Sequence, residues 1–269
     1  MNYQVDVIII GDSKSGHEIL DKIAASKPTI KIAFISDSFK SSTTRDYLNV
    51  EYFKSEVLLV DYKNRLFGCY LKNNSRIYST HLVVATGLSY SPLMLNGKAI
   101  TTDVFNNTDD ISKQAKNQPA IVICNKNTEV KFALEVAKKY KQVYLCTEGI
   151  TIKNLSEANA KKLNKTSNIV VLPNTAINRV VVKNNILQKV ELNNYSILNC
   201  SAIYVKTEAT PAANFIPDNL IQKNDKGYLV TAENAESTII PKCFAAGNCA
   251  QKYTKTSEQL LIETILKDF

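Results

Sequence analysis

The residues best placed to do chemistry lie at Gly11-Asp12-Ser13-Lys14-Ser15-Gly16, where an apolar run, Val7 to Ile10, gives way to glycine, acid, hydroxyl and cation. The spacing is that of Gly-x-Gly-x-x-Gly, which joins a strand to a helix and seats a pyrophosphate on the helix N-terminus. Gly11 keeps the tight turn, and Gly16 keeps the close packing of helix on strand. The middle glycine, which lets backbone N–H groups approach the phosphates, is replaced by Ser13. Asp12 adds a negative charge near a helix N-terminus that would otherwise attract an anion, while Lys14 adds a cation at the same end. The two architectural duties of the motif survive and the chemical one is damaged.

Other chemistries find less support. His17 and His81 are the only histidines, one on the first helix and one before a strand, and both read as structural or solvated. Cys69, Cys124, Cys146, Cys200, Cys243 and Cys249 match no zinc spacing and form no Cys-x-x-Cys, so they read as reduced core residues. Cys249 could also place a lone thiol beside a ligand. No nucleophile-elbow sequence occurs.

The elements that must position these residues follow from periodicity. Apolar Ile19, Leu20, Ile23 and Ala24 predict a helix that stops by Lys27, before Pro28. Ile30 to Ile35 predicts a buried strand. In a dinucleotide fold an acid at the end of this strand holds the ribose; Ser36 occupies that place, and Asp37 could serve or could simply be a polar residue leaving the strand. Ser41 to Asn49 reads as a loop. Val57 to Tyr62, Leu66 to Leu71 and Arg76 to Thr80 form a meander that leads into Leu82-Val83-Val84-Ala85-Thr86-Gly87, a strand ending in an open turn. Ser91-Pro92 and Asn96-Gly97 mark an irregular connection, and Asp109 to Asn117 a short polar helix or linker.

The same order then repeats. Ala120 to Cys124 predicts a strand, Asn125 to Thr128 a turn, Glu129 to Tyr140 a helix and Gln142 to Cys146 a strand. A helix over Leu155 to Leu163, a strand over Ile169 to Leu172, a second meander over Val180 to Leu198 and a strand over Ala202 to Val205 follow. The tail, with strands at Gly227 to Val230 and Pro241 to Ala246, a Gly247-Asn248 turn and a helix from Glu258 to Leu266, has no counterpart in the second copy and returns to the first. The expected fold class is α/β, with two Rossmann-like dinucleotide-binding domains of three-layer ββα type. The first is discontinuous, 1–110 with 226–269, and the second spans 111–225.

A chain of 269 residues, 45% hydrophobic and 22% charged, is long enough for two small cores. No apolar run is long enough to span a bilayer, and Met1 to Asp6 lacks a signal-peptide pattern, so the expected location is the cytoplasm, without a membrane partner. Lys+Arg 33 against Asp+Glu 25 gives a formal charge of +8. The lysines, such as Lys126, Lys131, Lys138, Lys139 and Lys141, are spread along helix faces and read as a solvated surface, so nucleic acid is not expected as a partner.

The order of elements resembles thioredoxin reductase and the wider FAD-linked pyridine nucleotide-disulfide oxidoreductases over nearly the whole chain. The resemblance is carried by Val7 to Gly16, by Val83-Val84-Ala85-Thr86-Gly87, and by Lys226-Gly227-Tyr228 with Pro241-Lys242-Cys243-Phe244-Ala245-Ala246-Gly247-Asn248. It implies an FAD site formed by Gly11, Ser13, Lys14, Gly16, Asp37, Ala85, Thr86, Gly87, Gly247 and Asn248. Departures accompany it. The family's redox Cys-x-x-Cys-Asp aligns with Ala99, Thr102 and Asp103, so the acid remains without the thiols. Its nicotinamide turn falls on Cys124, Lys126 and Glu129, and its NADPH 2′-phosphate residues fall on Cys146-Thr147-Glu148. Its flavin-side aspartate is Asn248, and the region after the second strand is shortened. The expectation is a divergent flavoprotein with a weakened FAD site, no NAD(P) site and no assignable catalytic residue. The alternative is a cofactor-free pseudoenzyme that binds a protein partner or forms a homodimer.

Overall fold

A computed structural model describes residues 1–39, 46–106, 118–147 and 155–269. The chain divides into two compact units, Met1–Ser89 with Ala209–Phe269, and Tyr90–Glu208.

In the first unit, strands β2 (Val7–Ile10), β3 (Ile32–Ser36), β4 (Val50–Lys54) and β8 (His81–Val84) join strand Cys243–Ala245 in one parallel sheet, ordered 243–245, β8, β2, β3, β4. Successive side chains of a strand point to opposite faces, so a strand covered on both sides must be apolar throughout. Strand β2 obeys this rule: Val7 and Ile9 face helix α1 (Lys14–Ser26) and helix Lys255–Lys267, through Ile19, Ile23, Leu261 and Ile265. Ile8 and Ile10 face a second sheet, through Val60, Phe67 and Ile77. That sheet is the meander β5 (Val57–Lys63), β6 (Leu66–Leu71) and β7 (Arg76–Ser79), extended by β1 (Asn2–Gln4), which pairs parallel with β7. The layers are therefore β, β and α.

The second unit repeats the plan. Its parallel sheet is ordered Val104–Phe105, Ala202–Val205, Ala120–Ile123, Val143–Thr147, Ile169–Pro173. Ala120 and Val122 face helices Val130–Ala137 and Glu157–Asn164, while Ile121 faces the antiparallel strands Ile177–Lys183, Ile186–Leu192 and Ile197–Asn199. Alternation in the central strand of each unit produces the same three layers from two unlike sequences.

Several boundaries differ from those the sequence predicts. The units change over earlier than 110 and 226. Leu93, Leu95 and Val104 pack into the second unit's core, and Ala213, Ile216, Leu220 and Ile221 pack into the first unit's core. The connection around Asn96-Gly97 is a regular hairpin, Leu93–Leu95 with Lys98–Ile100, because both turn residues take the positive φ such a turn requires. Strand β4 lies within a stretch passed over between loop and meander. Gly227 to Val230 forms no strand; Leu229 makes only isolated bridges, to Lys223 and Ala250. The expected element at Asp109 to Asn117, residues 41–45 of the expected loop and Glu148 lie outside the described residues. Among the described residues no helix is long and apolar enough to cross a membrane.

Candidate functional site

The first unit carries a cavity of about 670 Å³ at the C-terminal ends of β2, β3 and β8. Ligands of open α/β sheets enter at this end of the strands. One wall is the Ile10–Ser13 turn with Thr86, another is Ile35–Ser38, a third is Ser55–Leu58, which runs from the end of β4 into β5, and the last is formed by Thr210–Ala212 with Asn214 and Phe215.

The turn is held by glycine for steric reasons. A Cβ on Gly11, whose φ is +116°, would lie 2.4 Å from the Ala85 carbonyl oxygen, and one on Gly16 would lie 2.3 Å from the Gly11 carbonyl oxygen. Gly247 lies against the same turn: its Cβ would lie 2.9 Å from Ser15 Oγ. The returning tail thus closes on the opening motif, as the repeat implied.

At the β2–α1 turn, one of the chain's own side chains has taken a helix amide. Ser13 is the N-cap of α1, and its Oγ accepts the Gly16 N–H at 3.1 Å, one of the amides a helix N-terminus offers an anion. The Asp12 carboxylate, only 10% exposed, is held by the His17 imidazole one turn into the helix. Lys14 does not line the cavity; its side chain is 88% exposed and pairs with Glu18.

The residues named from the sequence divide accordingly. Gly11, Ser13, Asp37 and Thr86 line the cavity. Gly16, Ala85 and Gly87 shape it from behind: Ala85 packs on Gly11, and the Gly87 carbonyl accepts the Ala212 N–H at 3.1 Å, fixing the 210–215 wall. Gly247 and exposed Asn248 lie outside the lining. Ser38, Ser55, Glu56, Leu58, Asn214 and Phe215 also line it and were not expected. A serine-rich strand end at Ser36–Ser38 was the available signal; the others depend on β4 and on the folding back of 210–215.

The second unit's turn is also filled. The Glu129 carboxylate accepts the Asn125 and Lys126 N–H groups at 2.7 and 3.2 Å, so the amides that would face a phosphate already hold a carboxylate. Burial, reinforced by Glu129, pushes the Cys124 thiol up to about 11. Asp103 is structural: its Oδ2 accepts the Leu187 N–H at 2.9 Å and its carbonyl accepts the Ile203 N–H at 2.9 Å, tying the second unit's two sheets together. All six cysteines are free and buried. Cys249 is a core residue, its thiol donating to the Ala246 and Val84 carbonyls at 3.2 and 3.4 Å, with burial raising its pKa.

The sequence matches the pyridine nucleotide-disulphide oxidoreductase family over residues 2–262. No curated protein matches it. Among solved structures, the thioredoxin reductase of Streptococcus pyogenes MGAS5005 is similar over 100% of both chains, with TM-score 0.66 and 14% identity. The Lactococcus lactis thioredoxin reductase is similar over 98% of each chain, with TM-score 0.63 and 16% identity. The T. acidophilum enzyme is similar over 97% of this chain and 96% of its own, with TM-score 0.64 and 14% identity. At such identities the likeness speaks to fold, which agrees with the duplicated three-layer units. The chain belongs to the pyridine nucleotide-disulphide oxidoreductase family, and its fold is that of the thioredoxin reductases it resembles.

Proposed function

We propose that the first unit is a divergent FAD site, kept at its adenosine end and weakened at its pyrophosphate end. The observation that carries this reading is the cavity itself: about 670 Å³ remain open beside Gly11, at the strand ends where the fold receives a dinucleotide. Ser36 and Asp37 would hold the adenosine ribose, and the Gly11–Ser13 turn would receive the pyrophosphate. Bound FAD supplies hydride and electron transfer at its flavin ring. The chain's own residues bind and orient it, less tightly than an intact fingerprint would. Ser13 competes for a helix amide and Asp12 sets a carboxylate beside the phosphates, each costing roughly 1–3 kcal/mol.

This family member is not a disulfide reductase and does not use NAD(P). Dithiol exchange needs an accessible thiolate and a resolving thiol. Burial holds these thiols protonated, with Cys146 and Cys200 each pushed up to about 12. Glu129 occupies the nicotinamide turn's amides. A cofactor-free pseudoenzyme, acting through a protein partner or a homodimer, is the second reading, favoured by the filling of both anion seats with the chain's own oxygens. The absorbance spectrum of freshly purified protein, followed by titration with FAD, separates the two. A flavin band or a saturable FAD isotherm supports the first, and the absence of both leaves the second.

A further inference from the structure

We propose that the groove between helices Val130–Ala137 and Glu157–Asn164 of the second unit is a docking surface for an acidic segment of a partner protein, one that sets carboxylates on either side of an apolar residue. The proposal concerns the second unit alone and holds whether or not the first unit takes FAD.

The fold brings to one place lysines that the sequence scatters. The groove encloses about 710 Å³ and is lined by Lys131 and Lys138 from the first helix and by Lys162 and Lys165 from the end of the second. Glu135 is the one acid of the described lining, and Lys138 already holds both its oxygens, at 2.8 and 2.9 Å. Among the described residues Lys131, Lys162 and Lys165 hold no carboxylate, whereas Lys161, just outside the lining, pairs with Glu157. The helix macrodipole gives Lys138 and Lys165 a reason to stand at helix C-termini. Lys131 stands instead in the first turn of its helix, where the dipole disfavours a cation. Three ammonium groups therefore share one groove without a counter-charge from the described chain.

The walls are tied at both ends. Asn159 Nδ2 donates to the Asn127 carbonyl and side-chain oxygens at 3.0 and 2.8 Å, and Asn168 Nδ2 donates to the Ala137 and Tyr140 carbonyls at 2.8 Å each. A partner therefore spends little on ordering them. With those amides committed, the groove offers lysine ammonium groups above an apolar floor of Leu134 and Ala137, which suits carboxylates flanking an aliphatic side chain. Nucleic acid fits less well, because the lining has no arginine to fork a phosphate and no aromatic ring to stack a base. The groove also reaches Asn168, just before strand Ile169–Pro173, whereas a dinucleotide enters at the other, C-terminal end of such strands.

The test is fluorescence anisotropy of the purified full chain with a labelled peptide of glutamates carrying a leucine at every fourth position. The same peptide with glutamine for glutamate and a labelled oligothymidylate run beside it. The acidic peptide should saturate with a dissociation constant of about 10–100 μM at low ionic strength, and should weaken by about tenfold when salt is raised to about 0.2 M. Lys131→Gln combined with Lys162→Gln should weaken it by about tenfold, the effect of two exposed ion pairs. Lys161→Gln combined with Lys183→Gln removes the same charge outside the lining and should change it by less than about twofold. All four side chains are exposed, so both double variants keep the fold, which their melting temperatures check. Absence of saturation, equal loss in the two double variants, or equal binding of the glutamine peptide overturns the proposal. Oligothymidylate bound more tightly than the acidic peptide also overturns it and assigns the groove to nucleic acid.

Discussion

Single residues decide what the first-unit turn can hold. Ser13 caps α1 with the hydroxyl that a glycine would lack, so Ser13→Gly frees the Gly16 amide for a phosphate. The substitution should strengthen ADP or FAD binding by about tenfold while changing stability by only a few tenths of a kcal/mol, since glycine is itself a tolerable N-cap. Parallel titration and thermal melts of the variant check both halves. A second residue-scale prediction concerns acid. Burial lowers the pKa of His81, against the raising effect of its hydrogen bond with Asp268. Asp268, which accepts from Lys242 Nζ at 2.8 Å and pairs with His81 Nε2 at 2.9 Å, is held below its ordinary range, chiefly by Lys242 and then by His81. The signs agree. The unfolded chain protonates His81 from about pH 6.5 downward and Asp268 from about pH 3.9, while the folded chain resists both, so stability falls with pH in two stages. Melting temperature followed from pH 7 to 3 should show this decline, with the upper stage lost in His81→Asn. A melting temperature that rises on acidification to pH 5 would contradict it.

Elements show where the sequence could be read and where it could not. The β2–α1 turn was legible because only glycine fits there: Gly11→Ala puts a methyl 2.4 Å from a carbonyl oxygen at φ +116°, and should cost about 3 kcal/mol in a denaturant titration. The meanders were legible from their turns, Asn64 and Asn74 in the first unit having positive φ. Strand β4 was not. Val50–Lys54 pairs only with β3, at the sheet edge, and buries Phe53 alone, so no alternation marks it. That omission hid the Ser55–Leu58 wall of the cavity. Asp103, the acid that aligns with the family's redox motif, is a hydrogen-bond acceptor for Leu187, a partner 84 positions away that no local pattern reveals.

At the scale of the whole molecule, two copies of one three-layer plan persist, and in each the strand-to-helix turn gives backbone amides to the chain's own oxygens, Ser13 Oγ in the first and the Glu129 carboxylate in the second. Packing constrains the glycines and the alternating strands, and it does not constrain the ligand. The same division places every cysteine in a core. A thiol reagent added to the native protein should therefore titrate none of the 6 cysteines rapidly and all 6 after denaturation. Rapid reaction of a native pair would reopen the case for disulfide chemistry. The most direct measurement is equilibrium titration of the purified chain with FAD, read by calorimetry and by quenching of flavin fluorescence. The first-unit cavity predicts a saturable isotherm of one FAD per chain, weaker than an intact fingerprint allows and strengthened by Ser13→Gly; no saturation in either protein would contradict it.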